Sequence, residues 1–261
     1  MAFSKMLNSF LIGLQFLTRI SIVKQTVWTE ESFGNSVKYF PAVGAVLGAA
    51  YVIIAEILNL LIGGTLPLLT AAVILMSMAI LTGGIHCDGF MDTLDGLFSG
   101  RDRDRMLEIM KDSRVGAFGV VSFVMISILG FAALSELAKT PFTLLAAIYS
   151  APIIGRLMMV VRIGGFPYAR PEGMGKAFSE HTTSSTVLVA AIETMIILSP
   201  LVILSAMLLK PLLVSLTVTL IFTLYFGKFA TKKVGGVTGD IYGAVTTISE
   251  VLVMLTFLLT G

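Results

Sequence analysis

The stretch PLLTAAVILMSMAILTGGIHCDGFMDTLDG, residues 67–96, joins an uncharged apolar segment directly to a cluster of aspartates. Residues 67–85 carry no charge and approach the roughly 20 residues that a transmembrane helix needs. The residues that follow include Asp88, Asp92 and Asp95. This stretch therefore predicts a membrane span that ends in a segment suited to chemistry.

The composition of the 261-residue chain extends that prediction to a polytopic membrane protein. Hydrophobic residues make up 56% of the sequence and charged residues only 13%, whereas a typical soluble domain has about 25% charged residues. Mean hydropathy is +0.94. A net charge of +2, with no basic run between aromatic residues, argues against nucleic acid as a partner. The single cysteine, Cys87, excludes an internal disulfide and a multi-cysteine metal site.

Seven weakly charged windows predict an all-α, polytopic integral membrane helical bundle of about seven transmembrane helices. The windows are residues 40–62, 67–85, 116–135, 142–163, 186–207, 212–227 and 241–260, of which 212–227 is the shortest. Residues 6–17 are apolar but too short to cross, so they predict an N-terminal interfacial helix. We interpret residues 1–261 as a single transmembrane catalytic domain.

The distribution of Lys and Arg orients these helices. With the N-terminus in the cytoplasm, fifteen of the 18 Lys and Arg residues, Lys24 among them, fall on the cytoplasmic side, where positive residues concentrate. Lys139 and Lys210 fall outside. Arg156 lies within a span, so it should face the bundle interior and pair with an acid or a phosphate. We expect a multi-pass protein of a bacterial or archaeal cytoplasmic (inner) membrane, with the active site facing the cytoplasm.

The three aspartates predict a metal site. On a helix, Asp88, Asp92 and Asp95 fall within about 60° of one another, and like charges so close require a cation. Carboxylate oxygens suit Mg²⁺, which commonly bridges one or two carboxylates to substrate phosphates. The alternative is a solvated helix face, against which Gly89 and Gly96 argue, because Ala would serve a plain helix better.

A second row of acids follows the first. Seven of the 16 Asp and Glu residues lie between Asp88 and Asp112, and acids recur at positions 104, 108 and 112. This spacing predicts a cytoplasmic acidic helical hairpin at about residues 86–115, with two acidic rows that face one cavity. Asp112 is thereby a fourth candidate metal ligand.

Nearby cations predict a phosphate site. Lys111 and Arg114 precede glycines at the entry to a span, and Arg101 lies ten residues before Lys111. Lys or Arg opposite a metal-bound phosphate is the usual arrangement for phosphoryl transfer. The alternative is a set of surface ion pairs that contribute little, which applies best to residues 102–105.

Two further features are weaker signals. KKVGGVTGD, residues 232–240, has three glycines whose N–H groups would cradle an anion, followed by Asp240. We expect Asp240 to share a cavity with the aspartates and to bind substrate. The alternative is that Asp240 only caps the last helix. His86 is a candidate metal ligand, although a histidine beside a span end is more often an interfacial hydrogen-bonding group.

Residues 82–119, TGGIHCDGFMDTLDGLFSGRDRDRMLEIMKDSRVGAFG, resemble the hallmark region of the cobalamin synthase (adenosylcobinamide-GDP ribazoletransferase) family. Three other segments are similar to recurring segments of that family in the same order: QFLTRI (15–20), FPAVGAVLG (40–48) and GGVTGDIYGA (235–244). Ser21, where proline is common, and Cys87, where an aliphatic residue is common, are mild departures.

The resemblance implies a Mg²⁺-dependent membrane enzyme that joins adenosylcobinamide-GDP to α-ribazole or α-ribazole 5′-phosphate and releases GMP. It implies that Asp88, Asp92 and Asp95 hold Mg²⁺ on the diphosphate and that one of them accepts the hydroxyl proton. Cations at positions 101, 111 and 114 would offset charge on the leaving phosphate. Besides the lipid bilayer, a second copy of the chain or other corrinoid-pathway proteins are compatible partners.

Other classes fit less well. The CDP-alcohol phosphotransferase motif D-x-x-D-G-x-x-A-R matches at Asp92, Asp95 and Gly96, but Arg101 comes one residue late. Prenyltransferases usually pair two acidic motifs, and the second polar island has one acid. A membrane transporter would favour an internal repeat and charges near the bilayer midplane, whereas here the acids cluster at one membrane face.

Overall fold

The computed structural model describes residues 2–22 and 29–261 and shows an all-α protein. Lys24, which the charge distribution assigned to the cytoplasmic side, lies outside the described residues. The described helices are α1 (Ala2–Leu17), α2 (Glu30–Ser36), α3 (Phe40–Ile62), α4 (Pro67–Thr82), α5 (Ile85–Leu97), α6 (Arg103–Ile109), α7 (Ala117–Leu137), α8 (Pro141–Gly165), α9 (Met174–His181), α10 (Ser184–Leu204), α11 (Leu209–Val234) and α12 (Gly239–Thr260).

The prediction of about seven membrane spans is confirmed. Six described helices, α3, α7, α8, α10, α11 and α12, are long and apolar enough to cross a membrane, and a seventh crossing arises if α4 and α5 are counted as one bent pair. The 16 residues of α4 extend about 24 Å at roughly 1.5 Å per residue, and α4 packs beside α3 and α7. We therefore treat α4 as the crossing segment and α5 as the segment that leaves it, at an angle of 89°.

Two predicted boundaries are wrong for local reasons. Helix α4 ends at Thr82, before the end of the predicted window 67–85, because Gly83 and Gly84 have φ values of 64° and 73° and break the helix. The window 212–227 is too short, because α11 has 26 residues. Lys228, Lys232 and Lys233 end the apolar window but continue the helix, since long lysine side chains reach water from an apolar surface.

The helices α8 and α12 form the centre of the bundle. In their most apolar windows 83% and 72% of the residues are buried, against 17% for α10. Glycines bring α3 onto α8: a Cβ added to Gly44 would lie 2.4 Å from the carbonyl oxygen of Pro152, and one added to Gly48 would lie 2.5 Å from that of Tyr149. Small residues at such crossings allow the close backbone approach on which membrane helix packing depends.

The predicted short N-terminal helix is present as α1, and one of its faces packs on the bundle. Ile12, Leu14 and Leu17 are each 1% exposed, whereas Met6 is 52% exposed. The helix contacts α2 and α3. It therefore forms part of the folded protein and reaches the end of the bundle where α5 lies.

The connectors between the helices lie at two opposite ends of the bundle. The C-terminus lies beside the start of α8, since a Cβ added to Gly261 would lie 3.0 Å from Cγ2 of Thr143. The opposite end carries α5, α6 and the connectors 166–173 and 235–238. The polar segments that the sequence singled out therefore meet at one end.

Candidate active site

The aspartate helix α5 is positioned by a close crossing with α12. A Cβ added to Gly89 would lie 2.8 Å from the carbonyl oxygen of Asp240, and one added to Gly243 would lie 3.3 Å from Cα of Gly89. This contact explains Gly89, whose presence the sequence analysis had linked to the metal site. Gly96 has a similar role, because its added Cβ would lie 2.4 Å from Cγ of Met110.

The crossing gathers three other carboxylates around Asp92. Burial, followed by the charges of Asp88, Asp240 and Asp95, raises the pKa of Asp92 to about 7, and the charge of Arg170 opposes this effect. Carboxylates this close repel one another, and a bound cation would relieve the repulsion. The structure thus brings together the three predicted aspartates of α5 and the predicted Asp240.

Asp95 has a structural contact that sets it apart from Asp92. Its Oδ2 accepts a hydrogen bond from the backbone N–H of Gly116 at 2.7 Å, and its Oδ1 accepts one from Gly119 at 2.8 Å. A Cβ on either glycine would lie 2.5 Å from a carboxylate oxygen of Asp95. The glycines that follow Arg114 therefore make room for a carboxylate that anchors the first turn of α7.

A cavity of about 220 Å³ lies beside these carboxylates. We call it the aromatic cavity because the rings of two tyrosines and two phenylalanines line it. Its lining residues are Phe16, Leu17, Ile85, His86, Asp88, Gly89, Met159, Tyr168, Arg170, Gly173, Met174, Gly175, Phe178, Gly239, Asp240, Tyr242 and Gly243. The expectation that Asp240 and the α5 aspartates share a cavity agrees with this placement, since Asp88 and Asp240 both line it, while their chemical roles stay a prediction.

Asp240 is held by an ion pair. Arg170 Nη2 donates to Asp240 Oδ2 at 2.7 Å, and Thr238 Oγ1 donates to the same oxygen at 3.1 Å. The alternative that Asp240 caps the last helix is wrong, because the N-cap of α12 is Thr238, whose side chain accepts from the N–H of Ile241. Asp240 is therefore free of a capping role.

Arg170 is a residue of the site that the sequence analysis did not identify. Its loop is fixed by an isolated parallel bridge between Tyr168 and Val237. The N–H of Ala169 donates to the carbonyl oxygen of Val237, and the N–H of Val237 donates to that of Pro167, both at 2.8 Å. The two connectors are about 70 residues apart, and no local pattern predicts their pairing.

The glycine cradle predicted at residues 235–239 is largely wrong. Gly235, with φ of 81°, ends α11. Gly236 admits the neighbouring loop, since its added Cβ would lie 2.3 Å from the carbonyl oxygen of Pro167. Among the three glycines, Gly239 alone lines the aromatic cavity.

None of the predicted cations Arg101, Lys111 and Arg114 is among the lining residues of the aromatic cavity. Lys111 lines a separate groove of about 540 Å³, which also includes Arg103 and Arg170. Arg101 is exposed. Arg114 pairs with Asp112 at 2.8 Å, and hydrogen bonds from Arg114 lower the pKa of the Asp112 carboxyl to about 2.

The two acidic rows do not face one cavity in the described residues. On α6, Asp104 pairs with Arg103, and Glu108 pairs with Arg105, at the surface. These are the surface ion pairs of the alternative interpretation. The assignment of Asp112 as a metal ligand stays a prediction, and its pairing with arginine lends it no support.

The interfacial interpretation of His86 is wrong, because His86 is only 5% exposed. Its Nε2 has no hydrogen-bond partner among the described residues. Within residues 2–22 and 29–261, no group of three or more His, Cys, Asp or Glu side chains is arranged to hold a metal ion. The metal site at Asp88, Asp92 and Asp95 therefore stays a prediction, and a Mg²⁺ shared with substrate phosphates would need only one or two protein carboxylates.

The prediction for Arg156 is confirmed. Arg156 of α8 is fully buried, and its Nη1 donates to Oε1 of Glu250 on α12. Two other nitrogens of Arg156 have no partner in the part of the chain that the structure describes. This ion pair joins the two central helices below the site.

These features define a polytopic helical membrane protein with a carboxylate site at one end of its bundle. The chain belongs to the cobalamin-5-phosphate synthase family, whose model matches residues 9–258. This confirms the family that the sequence motifs indicated. No solved structure matches the fold.

Curated relatives match over nearly the whole chain. An adenosylcobinamide-GDP ribazoletransferase of Desulfitobacterium hafniense is 39% identical over 246 residues, 94% of each chain. Proteins of the same name from Acetivibrio thermocellus and Fusobacterium nucleatum are 36% and 35% identical, and the matches cover 98% and 97% of this chain and 99% and 97% of theirs.

Proposed function

We propose that the protein is an adenosylcobinamide-GDP ribazoletransferase that makes cobalamin, or its 5′-phosphate, and releases GMP. The names of the relatives support the reaction. The observation that carries the proposal is the crowding of Asp88, Asp92 and Asp240 beside a cavity at one end of the bundle. Carboxylates this close attract a cation, and the cation can in turn bind a diphosphate such as the one that the donor of this reaction carries.

The proposed step is a substitution at phosphorus. A ribose hydroxyl of α-ribazole, or of its 5′-phosphate, attacks the phosphorus next to the cobinamide and forms a new P–O bond. The bond from that phosphorus to the bridging oxygen breaks, and GMP leaves with that oxygen. An aspartate of α5 accepts the hydroxyl proton.

Asp88 and Asp92 are the proposed ligands of Mg²⁺, which when bound offsets the negative charge of the diphosphate. Asp95 orients this helix through its hydrogen bonds to Gly116 and Gly119. We keep the prediction that Lys111 and Arg101 offset charge on the outer phosphates of the donor, because both lie at the same end of the bundle as the carboxylates. This part of the proposal rests on charge and position.

The test is GMP release by the purified protein in detergent or liposomes. We expect release only when adenosylcobinamide-GDP, an α-ribazole acceptor and Mg²⁺ are all present, and loss of release with EDTA. Passage of a corrinoid across sealed liposomes without GMP release would instead support the transporter, and release of CMP from a CDP-alcohol would support the rival transferase.

The orientation is a separate proposal, with the site on the cytoplasmic face of a bacterial or archaeal inner membrane. Its test is the labelling of single cysteines in a Cys87→Ser background. Cysteines at the exposed positions Arg101 and Glu172 are expected to react only from the cytoplasm, and one at the exposed Thr140 only from outside. Labelling of Thr140→Cys from the cytoplasm would overturn this orientation.

A further inference from the structure

The size of the aromatic cavity indicates which of the two proposed substrates it can enclose. Its volume of about 220 Å³ falls below the roughly 300–1,000 Å³ of pockets that enclose drug-sized ligands. A corrinoid macrocycle that carries guanosine diphosphate is far larger than this. The cavity can accept a flat heteroaromatic ring with part of its ribose.

The walls of the cavity suit such a ring. Tyr168 and Tyr242 lie with their ring centroids 6.5 Å apart, and Phe16 and Phe178 meet edge to face at 5.0 Å. Stacking of a nucleobase on an aromatic side chain contributes about 1–3 kcal/mol per base. Met159 supplies a further apolar contact.

Three buried polar atoms of residues in the lining have no partner among the described residues. They are the hydroxyl of Tyr242, a residue that is 4% exposed, Nε2 of His86, a residue that is 5% exposed, and Nε of Arg170. Buried polar groups are normally hydrogen-bonded, because an unpaired one costs about 1–3 kcal/mol. Both His86 and Tyr242 line the cavity, so a ring nitrogen or a ribose hydroxyl of a bound ligand would lie close to these groups.

The charges of the lining favour a neutral ligand over a diphosphate. Asp88, Asp240 and Arg170 are the Asp, Glu, Lys and Arg residues of the lining, and Arg170 already pairs with Asp240. Asp88 also borders a more open cavity of about 550 Å³ that includes Arg19. A hydroxyl held beside Asp88 is therefore accessible to a larger substrate from that second side.

We infer that the aromatic cavity binds the base and ribose of the acceptor nucleoside, with Tyr168 and Tyr242 as specificity-determining residues. The inference rests on the proposed function for the identity of the acceptor. The donor would then approach Asp88 from the more open cavity that includes Arg19. The occupant is defined by its chemistry, a neutral heteroaromatic riboside.

The first variant fills the cavity. Gly239 lines it, and a Cβ added there would meet no atom within 4 Å. Gly239→Leu is expected to raise the Kd for α-ribazole at least tenfold, measured by calorimetry in detergent without the donor, and to leave the thermal midpoint unchanged. The matched control is Gly165→Leu, because Gly165 also has open space around its Cβ but does not line the cavity.

The second variant removes a ring. Tyr168→Leu is expected to raise KM for α-ribazole at least tenfold and to leave KM for adenosylcobinamide-GDP within twofold. Tyr225→Leu is its control, because Tyr225 is 71% exposed on α11 and lies outside the cavity. A rise in KM for the donor alone would overturn the inference and assign the cavity to guanosine.

The outcomes separate the inference from the proposed function. If the parent binds α-ribazole and Gly239→Leu does not, the cavity assignment stands even if no GMP is released. If GMP is released but both variants bind α-ribazole as the parent does, the assignment fails and the function stands. An absence of α-ribazole binding by the parent also overturns the assignment.

Discussion

Asp92→Asn is expected to abolish GMP release while the protein stays folded. Asp92 lies among the charges of Asp88, Asp240 and Asp95, so the loss of its charge relieves repulsion and should keep the thermal midpoint at or above that of the parent. Loss of the proposed metal ligand removes several kcal/mol of transition-state stabilisation, and each 1.4 kcal/mol or so is tenfold in rate. We expect a fall in kcat of at least about a thousandfold.

Two further Asp→Asn substitutions serve as comparisons for Asp92→Asn. Asp95→Asn is expected to lower stability as well as turnover, because the amide NH₂ would face a backbone N–H of α7 and leave a buried donor unpaired, at a cost of about 1–3 kcal/mol. Asp104→Asn should change neither, since the Asp104 side chain is 82% exposed. Near-parental GMP release by Asp92→Asn at ordinary Mg²⁺ concentration would overturn the metal-site proposal.

The second large effect concerns stability. Glu250→Gln is expected to lower the free energy of unfolding by about 3–5 kcal/mol, because it leaves the fully buried Arg156 without a compensating charge. The measurement is thermal or denaturant unfolding in detergent, followed by the tryptic susceptibility of the bundle. The GMP-release assay then shows whether the loss of stability also lowers activity at the site, which lies at the start of α12.

A surface pair provides the control for that measurement. Glu136 pairs with Lys139, and their side chains are 54% and 58% exposed, so Glu136→Gln should change stability by no more than about 1 kcal/mol. The double variant Arg156→Leu with Glu250→Leu should recover much of the loss, since it removes both buried charges. Equal stability of Glu250→Gln and Glu136→Gln would contradict the structural role of the buried pair.

The sequence predicted the features that depend on local chemistry. Apolar windows long enough to span a bilayer predicted the helices, and the spacing of Asp88, Asp92 and Asp95 predicted one charged helix face. Arg156 was predicted to find an anionic partner because an unpaired charge in a span is costly. Glu250 could not be named, since several acids were compatible with that requirement.

The predictions that failed depended on contacts between distant segments. Gly89 and Gly236 looked like parts of a ligand site, but each admits a neighbouring backbone, of α12 and of the loop at Pro167 respectively. Arg170 lies in an ordinary loop sequence, and its pairing with Asp240 follows from a bridge that joins two connectors. Asp112 differs from these cases, because it pairs with Arg114 only two residues away, and its assignment as a metal ligand stays a prediction.

The sequence by itself determined the all-α membrane fold, the family and the helix that carries the aspartates, because hydropathy, charge and helical spacing act over neighbouring residues. The tertiary structure decided which carboxylates face one another, that Asp95 anchors α7, and that Tyr168 and Tyr242 enclose a cavity. Those outcomes follow from the bend at Gly83 and Gly84 and from the glycine crossing of α5 with α12. Both depend on how close two backbones approach, and that distance is set only when the whole bundle packs.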